Sequence, residues 1–186
     1  MSAIVSRPRY ADFALNPEGR AHLIVTSQPA PPAGLEDSFA NVEVWTVKHG
    51  GPGVPLPASD GVRHWRSTVE LLAQLGHRLG REAAGLRLYA IGSEAFIWDA
   101  YNTAIAAGLH PSEVSLHRAG PLVRRVYCTH CRSFIEDVAV NIVQCPTCEA
   151  HLFVRDHFSR RLAAFMGVKV DAEVPGNIPA AEAFTS

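Results

Sequence analysis

The sequence predicts an α/β protein: a small, mainly parallel sheet domain, followed by a four-cysteine zinc ribbon, a C-terminal helix and an extended tail. Three observations predict it. Strand-like and helix-like segments alternate between residues 21 and 117, the order expected of strands joined by crossover helices. Two Cys-x2-Cys knuckles then follow 13 residues apart, as Cys128, Cys131, Cys145 and Cys148. An apolar i, i+4, i+7 stripe through Phe158, Leu162 and Phe165 comes after them, the spacing of one helix face. The predicted divisions are an N-terminal extension over residues 1–20, an α/β domain over 21–120, a zinc ribbon over 121–155, and a docking helix with an extended tail over 156–186.

Residues 1–20 are polar and read as extended. Ala21 to Thr26 is a strand, and residues 27–41, with Pro29, Pro31, Pro32 and Gly34, are a loop. Asn41 to Val47 alternates, with Val42, Val44 and Thr46 on one face, and is a second strand. His49 to Gly61 holds four glycines and three prolines and reads as loop. A helix opens at Ser67-Thr68-Val69-Glu70, a capping box in which the Ser67 hydroxyl accepts from the Glu70 amide and Glu70 reaches back. Its apolar stripe is Leu72, Leu75, Gly76 and Leu79, and Gly80 suits a left-handed C-terminal position. Leu86 to Ile91 is the next strand. Ser93 caps a helix reaching Ala107, with Phe96, Ala100 and Ala104 on one face and Gly108 as its stop. Val114 to His117 is a further strand.

Composition limits the function classes. The chain has 186 residues, 47% of them hydrophobic and 19% charged, with a net charge of −1. That allows a real core and gives no global attraction to nucleic acid or an anionic membrane. No stretch approaches the roughly 20 apolar residues of a membrane span, and the first ten residues lack the apolar core of a signal peptide. A cytoplasmic protein with no membrane partner is expected. All four cysteines lie within one short stretch, unlike a secreted disulfide scaffold.

Each knuckle presents two thiolates from one tight turn, and the intervening segment is long enough to fold back. Four sulfurs can then converge on one zinc ion at about 2.3 Å. Phe134, Ile135, Val138, Val140, Ile142 and Val143 between the knuckles are strand-forming. A rubredoxin-type iron site is a rival, although Arg132 and Glu149 stand where such knuckles carry glycine. An iron–sulfur cluster usually takes other spacings, and two redox disulfides explain the paired knuckles less well. His130 and His151 flank the knuckles as surface residues or supports, because four cysteines already close a tetrahedron. Arg118, Arg124, Arg125 and Arg132 form a local basic cluster able to touch phosphate, but Glu136 and Asp137 lie in the same module. No nucleophile–base constellation appears, so no catalytic residue is assigned. No motif singles out a haem ligand among the nine histidines.

Asp156 is placed to cap a helix from His157 to Met166 that Gly167 stops, with its apolar face turned to its own domain or to a partner. Residues 168–186, with Pro175, Gly176 and Pro179, show little periodicity.

Two stretches resemble known families. Leu88-Tyr89-Ala90-Ile91-Gly92-Ser93-Glu94-Ala95-Phe96, with Ala106-Ala107-Gly108-Leu109-His110-Pro111 and Val114-Ser115-Leu116-His117-Arg118, is similar to the end of the Rossmann-like NAD(P)-binding half of ferredoxin-reductase-type flavoproteins. Of that family's Cys-Gly-Pro turn only Gly92 matches. Thr26-Ser27-Gln28-Pro29-Ala30-Pro31 replaces its glycine-rich turn. The resemblance therefore implies the fold more than the nucleotide. The knuckles, with Leu152 to Leu162 and Phe165-Met166-Gly167-Val168, resemble the small subunit of bacterial dimethylamine monooxygenase. This implies an accessory, zinc-containing, non-catalytic subunit of a heteromeric complex. Its partners would be a haem-binding catalytic subunit and a reductase subunit carrying FMN and a 2Fe-2S cluster. That assembly uses NADPH and oxygen to demethylate dimethylamine to methylamine and formaldehyde, a step of methylated-amine catabolism. The alternatives are a rubredoxin-like electron carrier and a nucleic-acid-binding zinc ribbon.

Overall fold

In the computed structural model the described residues are 7–30, 41–48, 61–81 and 85–185. They form two compact units, one of Tyr10–Gly120 and one of residues 7–9 with residues 121–185.

The first unit is a five-stranded, all-parallel sheet in the order β3-β2-β1-β4-β5. Its strands are β1 (Ala21–Thr26), β2 (Val42–Val47), β3 (Val62–Trp65), β4 (Leu86–Gly92) and β5 (Val114–Arg118). Helix α1 (Thr68–Leu79) packs on β2 and β3, α2 (Glu94–Ala106) packs on β4 and β5, and the helices touch each other. They therefore share one face, where Gly76 lets α1 approach Thr103 of α2. On the sheet, Ile24, Val44, Tyr89 and Ile91 form a core cluster that Phe13 and Leu15 cover. Residues 10–16 are thus part of this unit. The loop expectations for residues 31–40 and 49–60 lie outside the described residues. The sequence reading misses β3, which lacks a clear alternation; His64 of β3 is held by a 2.6 Å hydrogen bond to Thr46 of β2.

Both helix starts follow the sequence. Ser67 Oγ accepts from the Glu70 amide at 3.1 Å, although the Glu70 carboxylate reaches the Arg66 amide instead of that of Ser67. Ser93 caps α2 through the Phe96 amide. The buried row of α1 is Leu71, Leu75 and Leu79, one position off the expected Leu72. Gly80 is not left-handed: its φ is −63°, and its amide closes the last turn on Arg78 and Gly76. Gly108 does take a left-handed φ of 100°.

The second unit is a five-stranded sheet in the order β7-β6-β10-β9-β8. Its strands are β6 (Arg124–Cys128), β7 (Phe134–Val138), β8 (Ile142–Gln144), β9 (His151–Ser159) and β10 (Ala164–Lys169). Two antiparallel hairpins, β6–β7 and β8–β9, each turn through one Cys-x2-Cys knuckle. Between them lies β10, parallel to β6 and antiparallel to β9.

This corrects the predicted helix over residues 157–166. That segment is the end of β9, a turn, and the start of β10, so a boundary at residue 155 would cut a strand. The reason lies in β9, where Leu152, Val154, Asp156 and Phe158 share one side by period-two geometry. Leu152, Val154 and Phe158 are buried, and the acid at the remaining position hides the alternation. Asp156 caps no helix: it accepts a 2.8 Å hydrogen bond from buried Arg124. Phe158 and Phe165 meet across the turn with centroids 5.0 Å apart, so their spacing reflects a hairpin. Ala163 turns the chain at φ 49°, and the Leu162 amide bonds the Ser159 hydroxyl.

The tail folds back on this sheet. The Asn141 amide donates to the Glu182 carbonyl, the Phe184 amide donates to the Ala139 carbonyl, and Val140 bridges Ala183. Phe184 lies 3.9 Å from the Arg124 guanidinium, whose other side faces Phe165 at 4.2 Å.

Candidate metal centre

The two knuckles are built alike. In the first, Cys128 N–H donates to the Ser133 carbonyl and Arg132 N–H donates back to the Cys128 carbonyl. In the second, Cys145 N–H donates to Ala150 and Glu149 N–H donates to Cys145. The residue after each second cysteine must turn left-handed. Arg132 does so at φ 65° and Glu149 at φ 60°, a conformation that favours glycine.

These turns aim amides at sulfur. The His130 and Cys131 amides point at Cys128, and the Thr147 and Cys148 amides at Cys145. The Ser133 amide serves Cys131, and the Ala150 amide serves Cys148. Each first cysteine thus receives two N–H groups and each second cysteine one, in both halves.

The four sulfurs lie within 4.8 Å of one another. Cys128 and Cys148 are 3.8 Å apart, and Cys131 and Cys145 are 3.6 Å apart. None of the four is joined in a disulfide. A tetrahedron with metal–sulfur bonds of about 2.3 Å has edges of about 3.8 Å, so the cage matches a small tetrahedral cation. Cys128 and Cys145 are fully buried, and Leu152 completes the core beneath them.

The ionisation pattern of the four thiols suits such a cation. Burial resists ionisation of Cys145, but the Ser133 hydroxyl and the two knuckle amides outweigh it and bring the thiol down to about 6. At Cys131 the Ser133 hydroxyl and amide also lower the pKa. At Cys148 the Ala150 amide favours the thiolate, but desolvation and the three neighbouring sulfurs push the pKa up to about 12. Burial likewise raises Cys128. Like charges this close cannot all ionise unaided; a divalent cation at the centre removes the conflict.

Ser133 is the residue that sequence reasoning missed. Its hydroxyl lies 3.0 Å from Cys131 Sγ and 3.5 Å from Cys145 Sγ, joining the two knuckles. A hydroxyl two positions after a knuckle cysteine is a weak signal by itself. His130 and His151 stand outside the sulfur cage and line an open cleft with Cys148, Lys169 and Asp171. The basic cluster is not a shared surface: Arg124 is buried between two phenyl rings, and Arg125 is paired with Glu136 at 2.6 Å. Among the described residues no helix is long and apolar enough to cross a membrane.

Comparison with known proteins points to the same module. Residues 125–168, from β6 to β10, match the family model described as "Dimethylamine monooxygenase subunit DmmA-like, C-terminal domain". Over 170 residues, 91% of each chain, the sequence is 32% identical to the "Heme-dependent oxidative N-demethylase delta subunit" of Ectopseudomonas mendocina (strain ymp). No solved structure matches.

Proposed function

The chain belongs to the family of the heme-dependent oxidative N-demethylase delta subunit, and from that premise we propose that it is an accessory, zinc-bearing subunit of an oxidative N-demethylase complex. Cys128, Cys131, Cys145 and Cys148 would hold the zinc. Dimethylamine is the proposed substrate of the assembly, in the cytoplasm. A haem-binding catalytic subunit and a reductase subunit with FMN and a 2Fe-2S cluster, using NADPH, are the proposed partners.

One observation carries the accessory role. Four cysteine sulfurs fill a tetrahedron and leave no position for water, oxygen or an amine, which is the mark of a structural metal site. The zinc would supply a crosslink between two hairpins. The chain's own residues do the rest: β10 ties the hairpins together and Ser133 bridges the knuckles.

Co-expression with the candidate partner chains tests this. The expected result is a complex that retains this chain through gel filtration, holds about one zinc per copy, and loses demethylation when the chain is omitted. A chain that binds neither partner and is dispensable for activity refutes the accessory role. Iron with visible thiolate absorption would instead establish the rubredoxin-like reading, because the same knuckle geometry suits that ion.

A further inference from the structure

We propose that Cys148 is the residue at which a small neutral peroxide attacks the four-cysteine site, and that its oxidation opens the site and releases the ion. The inference rests on the zinc reading above and adds a reactive residue to it. Two independent observations single out Cys148: the groups that donate to each sulfur, and the side from which solvent reaches the cage.

The two knuckles differ at one matched position. Ser133 and Ala150 each accept from the amide of the first cysteine, and each presents its own amide to the second. Ser133 also brings a hydroxyl, 3.0 Å from Cys131 Sγ and 3.5 Å from Cys145 Sγ. Ala150 brings none. Cys128 therefore has two amides, Cys145 two amides and the hydroxyl, and Cys131 one amide and the hydroxyl. Cys148 has the Ala150 amide alone. With the metal bound all four sulfurs are thiolates. Each hydrogen bond then draws charge from its sulfur and weakens it as a nucleophile, so Cys148 keeps the most.

Access points to the same residue. Cys128 and Cys145 are fully buried, whereas Cys131 and Cys148 are partly exposed. Of these two, Cys148 lines the open cleft of about 280 Å³ that it shares with His130, Glu149, His151, Lys169 and Asp171. The cleft carries both signs of charge: Lys169 lies 3.8 Å from Asp171, and Glu149 stands beside them. Mixed charge in so small a space suits an uncharged oxidant such as hydrogen peroxide better than an anion or a bulky disulfide.

The chemistry has two steps. The Cys148 thiolate attacks one oxygen of hydrogen peroxide: an S–O bond forms, the O–O bond breaks, and hydroxide leaves to take a proton from water. Cys148 is then a sulfenic acid. Cys128 Sγ, 3.8 Å away, attacks that sulfur. An S–S bond forms, and the second hydroxide leaves and is protonated in the same way. Two thiolates have given up two electrons, and peroxide has become two waters. The disulfide removes two of the four ligands, and Cys131 and Cys145 alone do not close a tetrahedron.

The test treats the zinc-loaded, full-length protein with limiting hydrogen peroxide. A chromophoric chelator follows zinc release, and peptide mass spectrometry after a denaturing thiol block locates the oxidised cysteines. A sulfenic-acid trap should tag Cys148 first, and zinc release should keep pace with a Cys128–Cys148 disulfide. A first tag on Cys131, a Cys131–Cys145 disulfide, or oxidation without zinc release overturns the inference. Zinc content measured beforehand separates the two premises. A chain without zinc refutes the metal reading and this inference with it, whereas a zinc-loaded chain oxidised elsewhere refutes the inference alone. Ala150→Ser supplies the missing hydroxyl and should slow tagging of Cys148 by about three- to tenfold, the scale of one hydrogen bond. Ser133→Ala should speed tagging of Cys131 by a similar factor. An unchanged rate in either variant means that hydrogen bonding to sulfur does not set the order, and overturns the proposal equally.

Discussion

Replacing Arg124 with methionine should destabilise the ribbon unit by about 2–4 kcal/mol, most of it from two aromatic contacts. The guanidinium is 4% exposed and sits 4.2 Å from the Phe165 centroid and 3.9 Å from that of Phe184. A desolvated cation over one ring is worth about 1–2 kcal/mol, and here there are two rings. The pair with Asp156 adds less than about 1 kcal/mol, because that carboxylate is 57% exposed and screened by water. Methionine preserves most of the apolar stem, so the cavity contribution stays small. Phe184→Ala should cost about 1–2 kcal/mol, since it removes one of the two rings. Because each side chain is the other's partner, the double variant should fall short of additivity by about 1–2 kcal/mol. Urea unfolding followed by metal release to a chromophoric chelator measures this on the ribbon unit. With a slope of about 1 kcal/mol per molar urea for so small a unit, Arg124→Met should move the midpoint by about 2 M or more. A loss under about 0.5 kcal/mol, or an additive cycle, would refute the packing of the tail on Arg124.

Three further outcomes follow from the same geometry. Gly167→Ala should cost about 1–3 kcal/mol, because the added methyl meets Val126 Cγ1 at 2.7 Å and Leu152 Cδ1 at 3.1 Å; Val126→Ala in the same chain should recover part of the loss in thermal melts. Arg132→Gly and Glu149→Gly should each stabilise the metal-bound form by about 0.5–1 kcal/mol, since they relieve a left-handed residue at φ 65° or 60°; a lower melting temperature would contradict the strain. In metal-free protein, Cys145 should ionise below Cys148, as the thiolate ultraviolet absorbance followed through a pH titration of single-cysteine serine variants can show. With Cys145 lowered to about 6 and an ordinary value of 9.0, the folded thiolate is in excess only between those limits. Its stabilising effect is complete above the unfolded value and lost as pH falls through 6, so urea should erase the difference between the two thiols.

The α/β unit was legible because its signals are local. Ser67 and Ser93 are capping residues at their own helix starts, and Gly108 is left-handed where the second helix stops. The convergence of the four cysteines was legible because each Cys-x2-Cys turn presents two sulfurs together and the segment between the turns is long enough to fold back. Signals that depend on distant partners were not legible. Strand β3 is ordered through Thr46 and Trp45 of the neighbouring strand, and its own four residues carry no clear pattern. The Gly80 amide closes the helix on Gly76, so the residue that most often turns left-handed had no need to do so. Ser133 acquires meaning only when Cys131 and Cys145 are brought to either side of it.

The misread helix shows what the closing segment does. Phe158, Leu162 and Phe165 have helical spacing, yet two of them face each other across a turn. Asp156, on the same side of β9 as buried Leu152, Val154 and Phe158, hides the strand alternation from the sequence. Its partner Arg124 lies 32 residues earlier, on β6. Strand β9 continues to Ser159, and β10 returns between the two hairpins. The consequence reaches the metal site. Thr129, inside the first knuckle, donates through both its amide and its hydroxyl to the Gly167 carbonyl of β10, each at 3.0 Å. The second knuckle is joined to the same strand through β9, where Gly167 pairs with Val154. The two halves of the sulfur cage are therefore held by backbone pairing to one shared strand. That arrangement makes the segment after the second knuckle part of the metal centre's scaffold, and it leaves the tail, anchored at Asn141 and Arg124, as the element at the outer edge of that scaffold.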